Sequence, residues 1–158
     1  MIMIRPCDTL MHDVTRLDAS VTEAVTEDRA QKVLSLAQSM VSNREKAFEI
    51  ARDAFCLTLN SCGGACDAES FEKRLFSACR SICLNSGMTP SYRIENPSLR
   101  ALNSLPVKYR SILILNDVFS FTLQQTAQLW DINEQKAEQR LVKGRMLIGE
   151  FLKKQISE

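Results

Sequence analysis

The 158-residue sequence lacks most of what an enzyme active site is built from. It contains one histidine, His12, which supports neither a catalytic triad nor a typical zinc enzyme. It has no glycine-rich phosphate loop and no pair of acids in a catalytic context. No catalytic residue and no cofactor are assigned from these residues. No apolar run approaches the roughly 20 residues that cross a bilayer. The opening stretch "MIMIRPCDTLMHDVTRLD" lacks a signal peptide's apolar middle, so the expected location is the cytoplasm. Repeats, low-complexity tracts and strand-like alternation are also lacking. Five glycines and four prolines interrupt a chain that otherwise has helical character throughout.

Cysteine is plentiful, with six residues, five of them between Cys56 and Cys83. In a reducing compartment these are thiols unless they bind metal or sense oxidants. Cys62-x3-Cys66 and Cys79-x3-Cys83 are two pairs that could hold zinc or an iron–sulfur cluster, or form redox-sensing disulfides. Buried free cysteine is an ordinary core residue, however, and no metal site is assigned. Charge divides weakly along the chain. Residues 1–99 carry 11 basic and 13 acidic side chains, whereas residues 100–158 carry 9 and 6. A mildly acidic front and a basic back point to different partners.

Helical periodicity organises the front half. Thr26 is a candidate N-cap, followed by Val33, Leu34, Leu36, Ala37, Met40 and Val41 at helical spacing. Ala47, Ile50, Ala51, Ala54 and Phe55 form a second stripe, and Leu75, Ala78, Cys79 and Ile82 a third. Gly63-Gly64 marks a loop between the second and third helices. "SGMTPSYRIENPS" is the best linker candidate, over 86–98. The predicted architecture is all-α. A leader at 1–27 is followed by a helical domain at 28–85, a flexible linker at 86–98 and a second helical domain at 99–158.

The second domain carries the clearest motif. Thr122 and Gln125 fit a capping box, and Asp131 stands at a turn that requires a left-handed residue. Thr126, Ala127, Leu129 and Trp130 are expected inside, and Ile132 between the two helices. On the next helix Ala137, Leu141, Gly144 and Ile148 fall on one stripe. Gln135, Gln139, Lys143 and Met146 face the other way, flanked by Lys136 and Arg140. This is the pattern of a helix-turn-helix whose second helix enters a major groove. Glutamine can pair with an adenine edge, and lysine can reach guanine or phosphate. A surface helix of an ordinary bundle is the competing reading.

"ALNSLPVKYRSILILNDVFSFTLQQTAQLWDINEQKAEQRLVKGRMLIGEFL" resembles region 4 of the extracytoplasmic-function sigma factors, the small two-domain bacterial sigma factors. Leu105-Pro106, Arg110, Ala127, Ile132, Arg140, Leu141 and Arg145 match the family pattern, and Lys143 keeps the charge of its usual arginine. In the front half, "AFEIARDAF" and "FEKRLFSACRSICLN" are similar to the two parts of region 2. The resemblance implies that the chain is not an enzyme but directs promoter-specific transcription initiation, with core RNA polymerase and promoter DNA as partners and an anti-sigma factor as a regulator. It implies that Glu49, Arg52 and Asp53 meet the polymerase clamp helices, and that Arg80, Ser81 and Asn85 lie near the displaced DNA strand. Gln135, Lys136, Gln139 and Lys143 would read the distal promoter element, with Arg140 and Arg145 on phosphates. Several contact positions depart from the family. Arg52 replaces a glutamine, Arg74 a tryptophan, Ser81 an asparagine and Asn85 an aspartate. Lys136-Ala137-Glu138-Gln139 replaces Thr-Val-Lys-Ser, and Ser120 and Asp131 stand where glycines are usual. Two alternatives follow: a sigma-like adaptor that binds an anti-sigma protein, and a redox or metal sensor using the cysteine pairs.

Overall fold

The computed structural model describes residues 6–17, 26–41, 43–62, 67–86 and 97–157. All of their regular structure is helical. Most of the predicted linker at 86–98 lies outside the described residues, as do Gly63, Gly64 and Cys66. The chain forms two compact units, Met1–Gly87 and Met88–Glu158.

The first unit comprises α1 (Pro6–Leu17), α2 (Glu27–Met40), α3 (Arg44–Cys62) and α4 (Ala68–Asn85). Thr26 caps α2 by accepting from the Arg29 backbone N–H, and Asp67 caps α4 by accepting from that of Ser70. The predicted apolar stripes of α2 and α3 are buried in full. On α4 the buried set is Phe71, Leu75, Phe76, Cys79 and Cys83, which leaves Ala78 and Ile82 at its margin. The interior is centred on Val33, Leu36, Ile50, Phe55 and Leu75. The expected leader contributes as well, because α1 packs on α2 and α3 and buries Cys7 and Leu10. Arg29 ties α2 to α4: its guanidinium lies 5.0 Å from the Phe71 ring centroid, and Nε is 3.3 Å from Glu72 Oε1. Buried Thr58 donates to the Ala54 carbonyl at 2.8 Å, so its hydroxyl is satisfied within α3.

The second unit comprises α5 (Pro97–Ser104), α6 (Val107–Leu113), a π-helical turn (Ile114–Val118), α7 (Leu123–Trp130) and α8 (Glu134–Ile156). Pro106 stands at the N-cap of α6, one position before the expected first turn, where its lack of an N–H leaves no helical bond unmade. Leu105, Ile112, Leu113 and Leu141 form the core, with Leu102, Leu123, Trp130, Ile132, Leu147 and Ile148 packed around it. Gly144 is needed where α8 crosses α6. A Cβ there would lie 2.9 Å from Leu113 Cδ1 and 3.4 Å from Tyr109 Cβ.

Candidate nucleic-acid interface

The turn between α7 and α8 follows from local chemistry. Thr122 Oγ1 accepts from Gln125 N at 3.1 Å, and Gln125 Oε1 accepts from Thr122 N at 2.9 Å, so both halves of the capping box are made. Asp131 ends α7 in the left-handed conformation, φ 52° and ψ 48°. Ile132 N–H then donates to the Ala127 carbonyl at 3.0 Å, and the side chain packs on the core. Asn133 caps α8 by accepting from Lys136 N at 2.7 Å. Between them these bonds satisfy backbone groups that a helix end leaves open.

With Ala137, Leu141 and Gly144 buried, the opposite side of α8 faces solvent. Gln135, Glu138, Gln139, Val142, Lys143 and Met146 line a shallow groove there. The structure therefore brings Gln135, Gln139 and Lys143 onto one exposed face, with Lys136 exposed beside them. Sequence reasoning left Val142 out. Its signal was its place three residues after Gln139, and it is half exposed. Glu138 sets a negative charge in the same groove, against any phosphate.

The two arginines of α8 are engaged within the protein. Arg140 lies over the Trp130 ring, 5.4 Å from its centroid, and its Nη1 is enclosed without a hydrogen-bond partner. The ring is fixed in turn, because Trp130 Nε1 donates to Ser111 Oγ at 2.9 Å. Trp130 is thus a half-buried wall under Arg140 and only partly a core residue. Arg145 donates to both carboxylate oxygens of Asp117, Nη2 to Oδ1 at 2.7 Å and Nε to Oδ2 at 3.4 Å. That bond raises the Arg145 pKa. Arg110 is buried, which lowers the pKa of its guanidinium.

In the first unit, Glu49, Arg52 and Asp53 share the outer side of α3. Glu49 is 3.7 Å from Lys46, and Arg52 Nε is 3.9 Å from Asp53. Burial, and then the Asp53 carboxylate, push up the neighbouring Cys56 thiol, so it is not an activated thiolate. On α4, Ser81 and Asn85 are exposed one turn apart and Arg80 is half buried beside them.

The cysteines do not gather into a metal site among the described residues. Cys79 and Cys83 are free and buried, and the Cys79 thiol donates to the Val33 carbonyl at 3.8 Å. Contact with Cys83, then burial, raises the pKa of Cys79 well above the usual thiol value. Both are core residues of α4. Cys62 is disulfide-bonded, with Arg74 Nη1 3.9 Å from its sulfur. Cys7, Asp8 and Glu27 do come within 4.8 Å of one another. Asp8 and Glu27 occupy the first turns of α1 and α2, however, where the helix dipole favours acids without any cation. No described helix is long and apolar enough to cross a membrane.

Residues 99–148 match the family profile described as Sigma-70, region 4. No curated protein matches the chain significantly. Among solved structures, the fold is similar to the sigma factor RpoE from Bartonella quintana, determined in a co-crystal with the anti-sigma factor NepR. The TM-score is 0.53 and the sequence identity 14%, over 88% of this chain and 98% of that one. At such identity the likeness concerns the fold, while the helix-turn-helix unit is identified by its own sequence. The second unit thus carries a sigma-70 region 4 over residues 99–148, and the fold over most of the chain is like that of a sigma factor.

Proposed function

We propose that the chain directs core RNA polymerase to promoters through three surfaces. The outer side of α3, with Glu49, Arg52 and Asp53, docks on the polymerase. Arg80, Ser81 and Asn85 on α4 hold the displaced strand, where basic and amide side chains suit phosphates and unstacked bases. The groove of α8 reads the distal element. The observation that carries this reading is the exposed Gln135–Gln139–Lys143 face behind a fully capped turn, within the stretch that matches region 4.

The chemistry of that face assigns the roles. Gln135 and Gln139 can each donate to and accept from an adenine edge, which gives sequence discrimination. Lys136 and Lys143 supply positive charge for phosphate or guanine, so they set affinity and its salt dependence. Gln139→Ala is expected to relax promoter preference at one base position by about 1–3 kcal/mol and to leave polymerase binding intact. The measurement is transcription in vitro by the reconstituted complex on a promoter library. Identical preferences for Gln139→Ala and wild type would contradict the assignment.

A second reading is favoured by Glu138, whose charge lies in the groove itself. The solved relative was crystallised with an anti-sigma factor. By analogy, a small helical inhibitor is a partner here too. If that partner were the main one, the chain would be an adaptor that binds the inhibitor tightly and polymerase weakly.

A further inference from the structure

We propose that Asp117 is a positioning residue for promoter reading: it holds Arg145 against the protein's own surface and thereby fixes how α8 presents its groove. The inference rests on the reading of that groove as the DNA-contacting face. It assigns a role to Asp117, and it moves Arg145 from the phosphate contacts implied by resemblance to an intramolecular latch.

The acid side of the latch is tied down by backbone and side-chain hydrogen bonds. Asp117 sits in the π-helical turn, which Phe119 N–H closes onto the Ile114 carbonyl at 3.0 Å. A π turn inserts one residue into a helix and so redirects the side chains that follow. The segment beyond it is tied back twice. Phe121 N–H donates to the Leu115 carbonyl at 3.0 Å, and Asn116 Nδ2 donates to the Phe121 carbonyl at 2.8 Å.

The base side is placed just as definitely. Arg145 follows Gly144, where a Cβ would run into Leu113 of α6, and Asp117 lies one turn beyond Leu113. The ion pair therefore stands beside the helix crossing and opposes rolling of α8 about it. Arg145 projects roughly 160° round the helix from Lys143, so it stands at the margin of the groove on the side of Glu138 rather than on that of Lys143. A bidentate arginine–carboxylate pair adds direction to its attraction, which suits it to setting an angle. The pair is substantially exposed, at 55% and 41%, so its effect on overall stability is small. Its value lies in orientation.

The test uses the full chain assembled with bacterial core RNA polymerase. Duplexes are enriched from a pool with a randomised upstream element. Affinity for enriched and scrambled duplexes is then measured against salt. Asp117→Asn and Arg145→Gln are each expected to lower the preference for enriched over scrambled duplex by up to about tenfold. The Arg145→Gln salt slope should equal that of wild type, and the charge swap Asp117→Arg/Arg145→Asp should restore most of the preference. If Arg145 instead holds a phosphate, Arg145→Gln reduces the slope by about one. Asp117→Asn would then tighten binding to both duplexes. That result overturns the proposal. Amide hydrogen exchange on the free chain judges the latch alone. Faster exchange over Gly144–Ile156 in Asp117→Asn, with α7 unaffected, supports it, and unchanged exchange overturns it. A wild-type complex that enriches no duplex would defeat the promoter reading of the groove instead.

Discussion

Ser120 adopts φ 60°, a left-handed backbone that costs an ordinary residue about 1–2 kcal/mol. It stands between the π-helical turn and the capping box, where members of the resembling family carry glycine. Replacing it with glycine removes the strain but adds freedom to the unfolded chain, worth about 0.5–1 kcal/mol. Ser120→Gly should therefore stabilise the second unit by about 0.5–1 kcal/mol, a rise in Tm of a few degrees by calorimetry. An unchanged or lower Tm would contradict this. Asp131 also has positive φ, but aspartate tolerates that region better. Residues whose roles are local were legible in the sequence. Thr122, Gln125 and Asp131 each act within a few positions of themselves, and each was found where expected. Arg145 was not legible, because its partner is 28 residues away and depends on how α6 and α8 cross. Trp130 was half legible for the same reason. Its apolar ring was expected inside, whereas its bond to Ser111 and its stacking with Arg140 arise only from the fold.

The helices themselves follow from apolar spacing and caps. The stripes of α2 and α3 were read correctly because a whole helical face is buried. The face of α4 was read one step off, because Phe71, Phe76 and Cys83 also pack inward and widen it. Two elements escaped notice. α1 is short and polar enough to look like a leader, and the π-helical turn differs from α-helix by one residue, which periodicity does not resolve. The cap of α4 gives a prediction at this scale. The Ser70 backbone N–H, then the Ser70 hydroxyl, hold the Asp67 carboxyl below its ordinary value. A depressed folded pKa means stability that is present above the unfolded value and lost as pH falls through the folded one. The Asp67→Asn variant would keep a capping oxygen without the charge. The Tm difference between wild type and Asp67→Asn should thus be constant above about pH 4 and shrink below it. A difference that does not change with pH would contradict the charged cap.

At the scale of the molecule, punctuation and the shift in charge pointed to helical domains at 28–85 and 99–158 with a separate leader. The units observed are Met1–Gly87 and Met88–Glu158. The proposed contact surfaces were legible only as exposed faces of amphipathic helices. The roles proposed for them came from the helix-turn-helix pattern and from resemblance, and Arg52, Ser81, Asn85 and Glu138 depart from the resembling family's pattern on those faces. Scaffold residues are constrained by packing, so they preserve the pattern, whereas solvent-facing contacts can change without cost to the core. The central claim is that this chain works on polymerase. It is tested most directly by titrating the protein against bacterial core RNA polymerase, with Asp53→Arg as the control. Asp53 is exposed on the outer side of α3, and reversing its charge there does not disturb the core. Tight binding that Asp53→Arg weakens at least about tenfold is the predicted result. No binding by folded protein, to a polymerase that accepts another sigma factor, would contradict it and leave the adaptor as the standing account.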